Sequence, residues 1–204
     1  MNELMLSEEL INNHTVLILV PNIDYNDIII KTTRQLSDKK TCYVTLNKTY
    51  DALKEHLRLN NVDINNMFFI DGITKNVKNV ENMNNCFFIS SPIMLPELSK
   101  TISKILDDGF SYLVFDSITN LLSYQEESSV EYFLQNLVAL LMEKKCRGVF
   151  YAVNRSMLDE TTHQTQIRYP DPSLKKQSQL VDRSKMFIDK IIDVERKKQQ
   201  STYV

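Results

Sequence analysis

The sequence predicts an α/β domain of three layers, with a mostly parallel central sheet covered by helices on both faces. Three observations carry that expectation. Short apolar, β-branched or aromatic runs alternate along the chain with segments of helical periodicity. Several of these runs are apolar at every position instead of every second one, as strands buried on both faces are. The chain has 204 residues, 43% of them hydrophobic and 25% charged, which suffices for one domain with a substantial core.

The elements follow in order. Residues 1–13 form an N-terminal segment, and the domain proper is expected over 14–193. Strands are expected at 16–20 (VLILV), 42–46 (CYVTL), 67–70 (MFFI), 86–89 (CFFI), 112–115 (YLVF) and 149–153 (VFYAV), with a last one at 186–192 (MFIDKII). Helices are expected at 25–36, 50–59, 95–106, 129–143 and 174–184. In the third of these, Leu95, Leu98, Ile102, Ile105 and Leu106 fall on one stripe, and Pro96 stands in the first turn, where its missing N–H does no harm. Residues 73–85 (ITKNVKNVENMNN) read as a polar surface excursion between two strands, and 154–173 as a long loop holding Pro170 and Pro172. The tail 194–204 is polar and is expected to fray.

Composition excludes several classes. The longest aliphatic run is five residues, against roughly 20 needed to span a bilayer. No basic N-terminal segment precedes an apolar stretch, so no signal peptide is expected. The 24 basic and 26 acidic residues give a net charge of −2, against the basic excess of a dedicated nucleic-acid binder. One basic and aromatic mixture, Arg155, Arg168, Tyr169 and Lys175, keeps single-stranded nucleic acid as a third reading. Cys42, Cys86 and Cys146 are far apart and form no CxxC, so free core thiols and a reduced, cytoplasmic setting are expected. His14, His56 and His163 belong to no metal-ligand spacing, and no GxSxG elbow is present.

Ligands of open α/β sheets bind at the carboxyl ends of strands, so each strand exit is informative. The first exit reads Pro21-Asn22-Ile23-Asp24-Tyr25-Asn26-Asp27-Ile28. A phosphate loop needs glycines and a lysine. Aligned on this turn from Pro21, GxxxxGK[ST] finds Asn26 at the second glycine, Asp27 at the lysine and Ile28 at the hydroxyl. Asp24 is expected to cap the following helix and Asp27 to sit in its first turn, where carboxylates engage the N–H groups a phosphate would use. Lys31-Thr32 falls in the helix body, at least a turn too late. The second exit, Leu46-Asn47-Lys48-Thr49, has no carboxylate to polarise water and reads as a solvated loop. The run 112–116 (YLVFD) ends in Asp116, followed by Ser117. Such an acid holds Mg²⁺ in nucleotide hydrolases, and alternatively Asp116-Ser117 organises the turn before 118–122. Asp71-Gly72 reads as a turn.

Several stretches together resemble archaeal RecA/KaiC-like domain proteins. They are 16–26 (VLILVPNIDYN), 43–48 (YVTLNK), 69–71 (FID), 90–92 (SSP) with 95–99 (LPELS), and 115–122 (FDSITNLL), and they cover roughly 14–193. Their order and spacing carry the likeness, which is to a degenerate branch without the phosphate loop. The resemblance implies a three-layer RecA/KaiC-like P-loop NTPase fold. It also implies a family of ATPases that often form hexameric rings. Of the family's chemical requirements this chain keeps Asp116, has Asp27 in place of the phosphate-loop lysine, and has Asn47-Lys48 where the catalytic acid would stand.

The expectation is therefore a catalytically inactive, cytoplasmic RecA/KaiC-like module that acts through protein contacts, with homo-oligomers among its possible assemblies. No cofactor is expected. The alternative is an atypical ATP-binding protein or ATPase, with Mg²⁺ on Asp116 and phosphate on Lys31 or Lys48. The degenerate nucleotide edge comprises Asp24, Tyr25, Asn26, Asp27, Asn47, Lys48, Asp116 and Ser117.

Overall fold

The computed structural model describes residues 5–154 and 172–194. Seven strands, β1 (Thr15–Pro21), β2 (Thr41–Thr45), β3 (Met67–Asp71), β4 (Cys86–Phe88), β5 (Tyr112–Asp116), β6 (Arg147–Asn154) and β7 (Lys190–Asp193), form one sheet in the order β4-β3-β2-β5-β6-β1-β7. Every pairing is parallel. The central strands are buried on both faces, which is why they read as unbroken apolar runs.

Helices cover both faces. On one side lie α1 (Leu6–Asn12), α2 (Tyr25–Arg34) and α3 (Tyr50–Leu59), whose Leu10, Ile29, Leu53 and Leu57 pack on Val16, Ile18, Tyr43 and Val114. On the other lie α4 (Leu95–Leu106), α5 (Ile118–Tyr124), α6 (Glu127–Glu143) and α7 (Pro172–Ser184), packed on Leu17, Val44, Phe115 and Phe150. Alternate residues of each strand thus serve opposite cores, as the period-two geometry of a strand requires.

The expected strands and helices form, with four differences, the first being that α5 (Ile118–Tyr124) is a helix not among those expected. The N-terminal segment contains α1, whose Leu6 and Leu10 are buried one turn apart. The helix expected at 25–36 ends at Arg34 and closes in turns, Gln35 N–H to the Thr32 carbonyl and Leu36 N–H to that of Thr33. The last strand is shorter than expected. Residues 185–188 are the tight end of α7, where the Phe187 and Ile188 amides both reach back to the Ser184 carbonyl, so only 190–193 pair with β1. Asp189 bolts that strand in place, its Oδ2 accepting from the His14 and Thr15 amides at 2.8 and 2.9 Å.

The polar stretch 73–85 is a largely exposed excursion, as expected, and it also shields a sheet edge. Met83 bridges Cys86 in antiparallel fashion, and the Asn82 side chain accepts from the Phe88 amide at 2.9 Å. Those contacts occupy the outer edge of the short strand β4, which otherwise presents open hydrogen-bonding groups. The loop expected at 154–173 and the tail fall almost wholly outside the described residues, as do Arg155, His163, Arg168 and Tyr169. The three cysteines are free and buried. Among the described residues, no helix is long and apolar enough to cross a membrane.

Candidate functional site at the strand carboxyl edge

The connection after β1 leads to α2 on one face, and that after the neighbouring β6 leads to α7 on the other. The same divergence separates β2, which leads to α3, from its neighbour β5, which leads to α5 and α6. Adjacent strands whose connections part in this way leave a crevice at their carboxyl ends. Of the eight edge residues expected from sequence, hydrogen bonds join Tyr25, Asn47 and Asp116 within it, and Asn26 and Lys48 at its rim.

The centre is Asp116, the last residue of β5, which is 1% exposed. An ionised carboxylate buried this deeply needs donors on its oxygens. Oδ2 accepts from the Tyr43 hydroxyl of β2 at 2.8 Å. Oδ1 accepts from the Tyr25 hydroxyl, in the first turn of α2, and from the Asn47 amide just past β2. The Asn47 amide also donates to the Tyr25 oxygen at 3.0 Å. Asn120 of α5 closes the far side, donating to the Asn47 side-chain oxygen and to the Leu46 carbonyl. One hydrogen-bonded network therefore ties α2, β2, β5 and α5 together.

Burial dominates the ionisation of this cluster. Loss of water pushes the Asp116 carboxyl above its ordinary range, although Tyr25, Tyr43, Asn47 and the charge of Lys48 all pull it down. Burial, with the negative charge of Asp116, holds the Tyr25 and Tyr43 hydroxyls well above the ordinary phenol value, so both remain donors. Tyr151 of β6 is likewise raised by burial and shares a hydrogen bond with Thr32 of α2. Thr32 also donates to the Ile28 carbonyl at 2.7 Å, which fixes it within the helix body as expected.

A second, outer group lines the rim. Lys48 Nζ donates to Asn26 Oδ1 at 2.7 Å, across the mouth of the crevice. His56 of α3 has its pKa lowered by burial and by the charge of Lys48, with Asp27 opposing. Asp27 is exposed in the first turn of α2, as expected.

Two sequence expectations, on Asp24 and on the loop after β2, are corrected here. Asp24 occupies the position before α2, but its carboxylate makes no capping hydrogen bond. Its backbone is already helical (φ −95°, ψ −1°) because residues 22–24 form a 3-10 turn, whereas a capping residue is usually extended. Ser117 is buried ahead of α5, where its carbonyl accepts from the Asn120 amide at 3.3 Å while its side chain makes no cap bond. The loop after β2 is not simply solvated, since Asn47 is half-buried between Tyr25, Asp116 and Asn120. Asp71 does organise a turn, accepting from the Ile73 and Thr74 amides, and its other oxygen takes the first amide of α3, Tyr50 N, at 2.6 Å.

Tyr43 and Asn120 were absent from the residues expected on sequence grounds. A signal for Tyr43 exists: a tyrosine inside an otherwise apolar, doubly buried strand must find a partner for its hydroxyl. Nothing local marks Asn120, which joins the network only because α5 crosses the exit of β2.

Comparison with known proteins agrees with this architecture. No family model matches the chain, and no curated protein matches it. Among solved structures, the chain is similar to a KaiC-like protein, PH0186, of the hyperthermophilic archaeon Pyrococcus horikoshii OT3. The likeness has a TM-score of 0.52 at 14% sequence identity and covers 69% of this chain and 61% of the archaeal one. The fold is thus RecA/KaiC-like, and the chain matches somewhat less than two thirds of that neighbour's length.

A fold of this type implies a magnesium nucleotide at the crevice, and the residues present do not fit one. Both Asp116 oxygens are engaged by protein donors. The β1 exit offers neither glycine nor lysine, and Asp27 adds negative charge there. Among the described residues, no group of three or more His, Cys, Asp or Glu side chains could hold a metal.

Proposed function

We propose that this chain is a RecA/KaiC-like domain that does not hydrolyse nucleotide and works as a regulatory or protein-interaction module. The observation that carries this reading is the closure of Asp116 by Tyr25, Tyr43 and Asn47. The one acid retained from a magnesium site is spent on holding the fold together. A carboxylate with three protein donors has little left for a hydrated cation, which would have to displace them. The carboxylate of Asp27 further disfavours phosphate at the start of α2. Contact with a partner is assigned to the strand carboxyl edge, where Ile23 is 93% exposed, and to the excursion 73–85, where Val77 is 78% exposed.

Thermal unfolding with and without millimolar Mg-ATP tests the reading. A ligand present at 100 times its Kd adds about 2.7 kcal/mol, a shift of several degrees for a domain of this size. The expected result is an unchanged midpoint. A clear rise, abolished by Asp116→Ala, would instead establish an atypical nucleotide site built on Asp116 and Lys48.

A further inference from the structure

We infer that the groove between α4 and α6 is a docking site for an amphipathic, acidic helix of a partner protein. The inference rests on the reading of this chain as an interaction module, and it adds a surface apart from the strand-end crevice and a kind of partner.

Two helices lying side by side build the groove. Gln125, just ahead of α6, donates to the carbonyl of Ile93, just ahead of α4, at 2.6 Å. Lys144, just past α6, meets Asp107, just past α4, at 2.7 Å. With both starts and both ends matched, the helices run parallel. Pro96, Lys100 and Lys104 of α4 and Asn136 and Leu140 of α6 line a space of about 580 Å³ between them. From Pro96 to Asp107 the groove runs about 16 Å, the length of about three helical turns. A furrow between parallel helices accepts a third helix, whose ridge of side chains fills it.

The two rims differ in chemistry. On the α4 rim, Lys100 and Lys104 are exposed and stand one turn apart. Among the described residues neither has an acidic partner, and Lys104 Nζ lies over the Phe87 ring at 5.3 Å. The acids nearby are already engaged. Asp107 is paired with Lys144, and Glu97 accepts from the Ser90 amide. Glu127 and Glu131 face the opposite flank of α6, where they meet Arg183 of α7. The α6 rim is apolar at half-buried Leu140, and one turn before Asn136 it carries Tyr132, which is 69% exposed. The groove therefore fits a helix with carboxylates along one edge and apolar side chains along the other. Charge complementarity fixes the sign of the partner, and the uncovered apolar rim supplies area to bury.

The probe is a synthetic helical peptide of about 16 residues, long enough to hold helical structure, with glutamates four residues apart on one edge and leucines on the other. It is titrated into isotope-labelled protein, and the backbone amide signals are followed. The expected result is a saturable shift confined to residues 94–107 and 132–144. Lys100→Glu with Lys104→Glu, both at exposed positions, should weaken binding about ten-fold or more, since two attractions become repulsions. The same double variant should regain affinity for a peptide with lysines in place of the glutamates. No saturable shift at millimolar peptide overturns the inference, as does equal binding of a scrambled peptide of the same composition. So does a stronger shift of these signals by a single-stranded oligonucleotide, or their concentration-dependent shift without peptide, which would place a second copy in the groove. The Mg-ATP melting reads the strand-end crevice alone, so its failure and the failure of this inference are separate results.

Discussion

Asp116 shows how a single buried charge is tolerated, and what it costs. Its two oxygens have three donors, yet burial still raises its pKa. The stabilising influence of a raised carboxyl pKa is present below the unfolded value of about 3.9 and is lost as pH rises through the folded value. The wild type should therefore lose stability relative to Asp116→Asn as pH climbs above about 4, which urea denaturation across a pH series measures directly. Asp116→Leu has the opposite consequence. It orphans the Tyr25 and Tyr43 hydroxyls and should cost about 3 kcal/mol or more. A loss below about 1 kcal/mol would mean that the network is not holding the fold. His56 titrates with the reverse sign. Burial and Lys48 depress its pKa, so its contribution is present above about 6.5 and is lost as pH falls. Replacing it by Gln should flatten that part of the profile.

At the scale of elements, short helices and strands are held by side chains that sit outside them. Asp71 joins the start of α3 to the turn after β3, and Asp189 joins the start of β7 to β1. Val153 at the end of β6 has its amide bonded to Thr119 at 2.9 Å and its carbonyl to Gln177. The helix α1 adds Leu6 and Leu10 to one core, so Leu10→Ala should cost about 2–5 kcal/mol in equilibrium unfolding. A near-neutral result would show that α1 is dispensable to the core. Gly148 in β6 marks close packing. A Cβ there would stand 2.6 Å from Leu141 Cδ1 and 2.9 Å from Phe150 Cε2. Gly148→Ala should therefore destabilise by about 1–3 kcal/mol through overpacking.

For the whole molecule, the sheet defines a gradient of stability. The central strands β2, β5, β6 and β1 have partners on both sides and helices on both faces, whereas β4 is three residues long and its outer edge is met, among the described residues, by the 82–83 segment. Hydrogen exchange should be slowest at residues 42–44, 113–115 and 149–152, which open only with global unfolding, and faster at 86–88. Equal protection across all seven strands would contradict this ordering. The crevice lies where the most protected strands end, so a network built there gains a rigid frame from β2 and β5 while Tyr25 enters from a helix end.

The sequence by itself determined the class of fold and most of its elements, because hydrophobic period is a local property. Runs such as 16–20 and 149–153 declare doubly buried strands, and the stripe over 95–106 declares a helix with one apolar face. It also located the edge residues, since strand exits can be read from where each apolar run stops. It extended the last strand over 186–189 because Phe187 and Ile188 are apolar, although they pack beneath the end of α7 and not through the sheet. What only the tertiary structure decided is the use of those edge residues. Tyr25, Tyr43, Asn47, Asp116 and Asn120 are up to 95 positions apart in sequence. Their hydrogen bonds exist because the strand order sets β2 beside β5 and brings α2 and α5 over the same strand ends. Pairing order is a long-range property that no local pattern encodes, and it turns a residual acid at a strand end into the centre of a closed network.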